Sequence, residues 1–296
     1  MRDAPYSAHE RLVAPARPTA GLGRLVIGLA LIGALTFALG SLYRVALAAL
    51  FRLEPGLRVD LTRGATPGSL LLLLFGFGAI IAAVLLVARW LHGRAPSSLT
   101  GPPGLALRQF GRVLGFLILL HITLALLPPY GPGEPVVPNL DPALWFALLP
   151  LSLVAILVQT SSEELLFRGY LQQGLAARFS APLVWMGLPA LLFGLGHYQA
   201  AAGATTWIAI SWAVCFGLAA ADLTARAGTL GPAIAMHLFN NAGAMLLVAV
   251  KGPMSGLALA TLPYATDDIE HLGSWMLLDF AILAVSWLVA RLAIRR

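Results

Sequence analysis

The chain has 296 residues and a formal net charge of +6, but only 11% of its residues are charged and 59% are hydrophobic. Soluble domains carry roughly 25% charged residues, so a surface this poor in charge excludes an ordinary soluble protein. Nucleic acid is excluded as a partner, because the basic residues flank apolar segments as membrane topology requires. A single cysteine, Cys215, excludes an intrachain disulfide and a cysteine-based metal site.

A membrane-spanning helix needs roughly 20 mostly apolar residues. Taken in chain order, the apolar segments predict an all-α, polytopic integral membrane helical bundle with about eight transmembrane helices. The predicted spans are Leu25–Leu42, Leu70–Leu91, Val113–Leu127, Ala143–Gln159, Leu183–Tyr198, Thr206–Leu223, Pro232–Val250 and Trp275–Leu292. A polar, cytoplasmic tail over residues 1–20 precedes the membrane-embedded bundle, which takes up residues 21–296.

The distribution of arginine predicts the orientation. With the N-terminus inside, most arginines fall in cytoplasmic segments, so the positive-inside rule places both termini in the cytoplasm of a multi-pass protein of the cell (inner) membrane. The segment Arg44–Arg63 departs from this rule, because its four arginines fall on the outer side. Residues 42–61 are interpreted as an interfacial amphipathic helix.

The first group of polar residues within apolar sequence follows the fourth span. An ionisable group at the centre of a membrane helix costs roughly 2.5–3.5 kcal/mol, so such groups are paired, hydrated or functional. Glu164 and Arg168 are four residues apart and share a helix face, whereas Glu163 points about 100° away. This pattern predicts one neutralised carboxylate and one that is free to act. The alternative is a helix N-terminus, with Ser161 and Glu164 as a capping box.

Two further groups lie on later apolar segments. Phe193 and His197 share a face at the end of the fifth span, and His237 and Asn241 share a face within the seventh. Each pair alone has a structural alternative, a packing histidine or an asparagine that bonds a neighbouring helix. Together with the two carboxylates and the arginine, they supply a base, an orienting ion pair and hydrogen-bond donors, which amide hydrolysis requires.

The order and spacing of these motifs resemble a known family. Glu-Glu-x-x-x-Arg, then Phe-x-x-x-His, then His-x-x-x-Asn is the pattern of the type II CAAX prenyl endopeptidases, also called CPBP intramembrane proteases, which include bacteriocin self-immunity proteins. The resemblance covers about residues 91–250, the protease-like core. It implies an intramembrane endopeptidase in which the site residues are Glu163, Glu164, Arg168, His197, His237 and Asn241.

The resemblance also implies a role for each residue. Glu163 with His197 would activate a water, Glu164 paired with Arg168 would hold the site in shape, and His237 with Asn241 would donate to the oxyanion. No cofactor is certain. Zinc is an alternative, since family members have been labelled metalloproteases, and its ligands would be Glu163, His197 and His237. The absence of His-Glu-x-x-His favours the metal-free mechanism.

Substrate and competing functions complete the hypothesis. The expected partners are a peptide or membrane-protein substrate and the lipid bilayer. One alternative is an ion or solute transporter, because Asp222 and Asp279 lie in apolar spans and buried charge also marks ion pathways. Another is a catalytically silent membrane scaffold or immunity protein.

Overall fold

The computed structural model describes residues 5–53, 62–127 and 136–295, and helices dominate them. The described part of the chain contains twelve α-helices. They are α1 Glu10–Val13, α2 Leu22–Leu53, α3 Pro67–Gly76, α4 Gly78–His92, α5 Pro96–Thr100, α6 Pro103–Leu126, α7 Pro142–Glu164, α8 Gln173–Ala176, α9 Leu188–Leu195, α10 Thr205–Ala227, α11 Gly231–Ala242 and α12 Ile269–Ile294.

Shorter elements extend or connect these helices. The 3₁₀ turns are Ser7–His9, Ala14–Thr19 and Ala200–Ala202, and the π-helical segments are Leu165–Gln172, Leu183–Gly187 and Gly243–Leu247. Three short strands, β1 Val137–Pro138, β2 Val248–Lys251 and β3 Ala260–Ala265, form one sheet in the order β1-β3-β2. β3 pairs antiparallel with β1 and parallel with β2.

Local sequence explains where several helices begin and end. α3 starts at a capping box in which the Thr66 side chain accepts from the Ser69 backbone and Ser69 bonds back to Thr66, and Pro67 follows at the first helical position. α4 ends at Gly93 and α10 at Gly228, both in the left-handed conformation at φ 65° and 66°. Glycine adopts this conformation without steric cost, which makes it a common helix stop.

The predicted polytopic helical membrane protein is confirmed. By length and composition, six helical segments of the described residues can cross a membrane. They are Leu22–Leu53, Pro67–His92, Pro96–Leu126, Pro142–Ala176, Thr205–Ala227 and Ile269–Ile294. The fifth predicted span is a shorter apolar helix, Leu183–Leu195. The seventh ends at Leu247, because the chain then enters β2.

One N-terminal segment differs from its predicted form, and another contains short helices that were not predicted. Residues 42–53 continue α2 without a break instead of starting a separate interfacial helix, and residues 54–61 of that prediction lie outside the described residues. The predicted polar tail is structured from Ser7 to Thr19 as short helices, and it packs against α10, α5 and α8. Leu12 is fully buried there, so apolar side chains hold this segment on the bundle.

α10 and α11 each pack against several other helices of the bundle. α11 packs against α6, α7 and α10, while α10 packs against α9 and α12. α9 and α10 approach closely because Gly217 faces Ala190: a Cβ on Gly217 would lie 2.9 Å from the Ala190 Cα. Such small-residue contacts let membrane helices pack backbone against backbone.

Candidate active site

Glu163 and Glu164 are positioned by the last turn of α7. This helix runs unbroken from Pro142 to Glu164 and passes directly into the π-helical segment Leu165–Gln172. Ser161 therefore lies inside a helix, and the capping-box alternative is wrong. A π-helical segment has backbone hydrogen bonds between residues five apart instead of four, and such segments occur frequently at functional sites.

The predicted ion pair is present and is fully buried. Arg168 Nη1 lies 3.0 Å from Glu164 Oε1, and the two side chains are 1% and 0% exposed. Arg168 Nη2 donates to the Gly217 carbonyl of α10 at 3.1 Å, and its guanidinium lies 4.7 Å from the centre of the Phe193 ring. Since a buried ion must be paired and hydrogen-bonded, these contacts hold the π segment against α9 and α10.

His237 of α11 joins the two carboxylates. Its Nδ1 lies 2.8 Å from Glu164 Oε1, the same oxygen that accepts from Arg168. Its Nε2 lies 3.4 Å from Glu163 Oε2, within ion-pair range. The ring also packs on Phe216, with the centroids 4.7 Å apart. The carboxylate pair, the histidine and Arg168 thus form one cluster, which we call the acid–histidine cluster.

His197 lies beside this cluster and makes a different set of contacts. It follows the end of α9, and its Nδ1 lies 2.8 Å from the Phe193 carbonyl oxygen. A carbonyl only accepts, so Nδ1 carries the hydrogen and the neutral ring has its lone pair on Nε2. The Phe193 ring lies 4.7 Å from the His197 ring and 5.9 Å from the His237 ring. The structure therefore places His237, rather than His197, in contact with Glu163.

Asn241 is held by a residue that the sequence motifs do not include. Its Nδ2 donates to Gln159 Oε1 at 2.8 Å, and Asn240 donates to Asn241 Oδ1 at 3.2 Å. Gln159 is one turn before Glu163 on α7 and is itself buried. The available signal was an isolated glutamine in an apolar span, on the same face as the acidic motif.

Two glycines, Gly194 and Gly196, lie at the end of α9, and only Gly194 lies against α10. Gly194 faces α10, where an added Cβ would lie 2.4 Å from Val214 Cγ2 and 2.9 Å from the Ile210 carbonyl oxygen. Gly196 faces only carbonyls of its own helix, at Leu192 and Phe193. Close approach of α9 to α10 therefore depends on Gly194 and not on Gly196.

The acid–histidine cluster contains unused acceptors. Glu163 Oε2 and Glu164 Oε2 are buried and accept no hydrogen bond from the described residues, although His237 Nε2 lies within ion-pair range of Glu163 Oε2. Two carboxylates with a single arginine leave one formal negative charge in a buried site. The cluster therefore has carboxylate oxygens that can accept a hydrogen bond from a bound group.

The zinc alternative does not fit the arrangement. Among the described residues, no three His, Cys, Asp or Glu side chains are grouped so that they could hold a metal ion. Zinc needs three protein ligands in a catalytic site. Of the three predicted ligands, Glu163 and His237 are neighbours, whereas His197 makes its contacts with Phe193.

Comparison with known proteins confirms the resemblance. Residues 144–243 match the family model described as type II CAAX prenyl endopeptidase Rce1-like. The chain is 25% identical over 150 residues to the uncharacterized protein YyaK of Bacillus subtilis, which covers 50% of each chain. The chain thus spans about half the length of this relative. No solved structure matches the chain.

Proposed function

We propose that the protein is an intramembrane endopeptidase that hydrolyses a peptide bond with a water activated by Glu163 and His197. The observation that carries the proposal is the acid–histidine cluster, in which His237 contacts both carboxylates within a bundle of membrane-spanning helices. The match of residues 144–243 to a CAAX endopeptidase family supports the same chemistry.

In the proposed first step, Glu163 removes a proton from water. The water oxygen forms a bond to the scissile carbonyl carbon, and the carbonyl π electrons move to oxygen. His197 assists through Nε2, which is its basic nitrogen because Nδ1 donates to Phe193. A positioned general base of this kind contributes roughly 10²–10⁴-fold to the rate.

The resulting oxyanion needs donors in a site with little water. His237 would donate from Nε2, the nitrogen that lies 3.4 Å from Glu163 Oε2, and Asn241 would donate its second amide hydrogen, since one already goes to Gln159. Preplaced donors of this kind are each worth roughly 3–4 kcal/mol of transition-state stabilisation. The C–N bond then breaks, and the proton on Glu163 passes to the leaving nitrogen.

Glu164 and Arg168 serve as positioning residues. Glu164 holds Nδ1 of His237, which fixes the ring so that Nε2 faces Glu163, and Arg168 holds Glu164 from the other side. We propose a peptide or membrane-protein substrate that enters from the bilayer, and a protein of the inner membrane with both termini in the cytoplasm. No step in this mechanism uses a metal.

The test compares membrane proteomes of cells that carry the wild-type protein, Glu163→Gln or the matched control Glu270→Gln. Glu270 is an exposed acid in the first turn of α12, so its loss removes the same charge outside the site. We expect substrates to accumulate uncleaved only with Glu163→Gln, and the purified variant to cleave such a substrate at least about 100-fold more slowly. Equal cleavage by purified Glu163→Gln and wild type would refute the proposal.

A further inference from the structure

A basic cavity lies at one end of the bundle, away from the acid–histidine cluster. It has a volume of about 220 Å³ and is lined by residues of the N-terminal segment, α6, α10 and α12. Its lining consists of Arg11, Leu105, Arg108, Gln109, Arg112, Arg226, Ala227 and Ile294. α6 begins here while α10 and α12 end here, so the cavity lies at one end of three helices that belong to candidate membrane spans.

The cavity carries an excess of positive charge. Four of its eight lining residues are arginines and none is acidic. Arg226 is paired with Asp222 on the same helix, at 2.7 Å between Nε and Oδ1. Arg108 and Arg112 are both exposed and stand four residues apart on α6, so they repel each other on one helix face. An anion between them would relieve that repulsion.

Hydrogen bonds to the Ala227 carbonyl oxygen hold two of the lining side chains in place. Arg11 Nη1 and Gln109 Nε2 both donate to the Ala227 carbonyl oxygen, each at 3.4 Å. The backbone of Ala8 also lies against Gly228, where a Cβ would be 2.4 Å from the Ala8 carbonyl oxygen. The N-terminal segment is therefore held so that Arg11 and the α6 arginines line the same space.

The ligand chemistry follows from this lining. Guanidinium groups recognise phosphate through paired N–H donors, and basic pockets between membrane helices bind anionic lipid head groups. The apolar Leu105 and Ile294 at the same cavity suit the uncharged part of a lipid. We propose that this cavity binds a phosphate-bearing anion, whose source is an anionic phospholipid head group or free phosphate.

Two variants and a charge-matched control test the site. Arg108→Gln/Arg112→Gln removes the exposed pair, and Arg11→Gln removes the contribution of the N-terminal segment. Arg89→Gln/Arg178→Gln removes two exposed arginines elsewhere, so it matches the first variant in net charge. Delipidated protein in detergent is titrated with phosphatidylglycerol or phosphatidylcholine and bound lipid is measured by native mass spectrometry, while thermal unfolding is recorded in phosphate or chloride of equal ionic strength.

We expect phosphatidylglycerol to bind wild type and the control equally. It should bind the Arg108→Gln/Arg112→Gln variant at least tenfold more weakly, and Arg11→Gln should also weaken the binding. If phosphate alone raises the unfolding temperature in wild type and control but not in the variants, free phosphate is the source. If only phosphatidylglycerol distinguishes them, the lipid head group is the source. Two results would overturn the proposal. One is equal phosphatidylglycerol binding by all proteins together with no effect of phosphate on their unfolding temperatures. The other is an equal loss of phosphatidylglycerol binding in the variant and the control. Proteolysis is not measured, so failure here leaves the proposed function separately testable.

Discussion

Replacing Arg168 by methionine tests whether the ion pair holds the site together. Methionine keeps much of the side-chain length. It leaves Glu164 without its cation, the Gly217 carbonyl without its donor and the Phe193 ring without the guanidinium that lies over it. Breaking a buried pair by removing one partner costs about 3–5 kcal/mol. We expect a loss near 3 kcal/mol in the free energy of unfolding, because His237 still donates to the same oxygen of Glu164.

A double variant separates the unpaired charge from the lost packing. Arg168→Met/Glu164→Gln removes both charges, so we expect it to recover about 1–3 kcal/mol relative to Arg168→Met alone. The assay is equilibrium unfolding in mixed micelles, followed by tryptophan fluorescence. Arg17→Gln, which breaks the exposed pair with Glu10, is the control and should leave stability unchanged. An Arg168→Met protein as stable as wild type would refute the reasoning.

Three further predictions concern metal dependence, helix packing and pH. Proteolysis should persist after exhaustive treatment with 1,10-phenanthroline, and its loss with recovery on adding zinc would refute the metal-free mechanism. Gly217→Val should destabilise by roughly 1–3 kcal/mol because the side chain meets Ala190, whereas Gly115→Val, with open space around it, should not, as thermal unfolding will measure. Burial lowers the pKa of His9 to about 4, from 6.5 for an exposed histidine. Because His9 of the detached segment binds a proton more readily than His9 of the docked segment, docking of the N-terminal segment should weaken as pH falls from 6.5 to 4. Hydrogen exchange of residues 7–19 measures this, and the dependence should vanish in His9→Phe.

Local rules predicted the contacts that depend on helix periodicity. Glu164 and Arg168 pair as their spacing requires, and the described residues form the predicted helical membrane bundle with six segments that can cross a membrane. The sequence did not predict which histidine contacts the Glu163 carboxylate, because that contact depends on how α7, α9 and α11 are rotated about their axes. The sequence predicted only that His237 shares a helix face with Asn241. The contact of His237 with Glu163 is seen only in the packed structure.

Two other features were not predicted from the sequence: the π-helical segment and the packing of the N-terminal segment. The π-helical segment Leu165–Gln172 changes the hydrogen-bond register without a proline or a distinctive composition. The N-terminal segment reads as polar on average, yet Leu12 and His9 are buried in it. A few buried apolar side chains, Leu12, Val13 and Ala16 among them, suffice to hold a short segment against the bundle.

Asp222, one of the two acids that favoured a transporter, has a structural role. It accepts from the Tyr6 hydroxyl at 2.9 Å and from Trp287 Nε1 at 3.0 Å, and it pairs with Arg226. Residues from both ends of the chain therefore meet at one carboxylate on α10, which explains a charge in an apolar helix without an ion pathway. The same contacts place Arg226 at the basic cavity. Asp222 thus stabilises one end of the bundle, while the carboxylates of α7 are left to carry the chemistry proposed for the site.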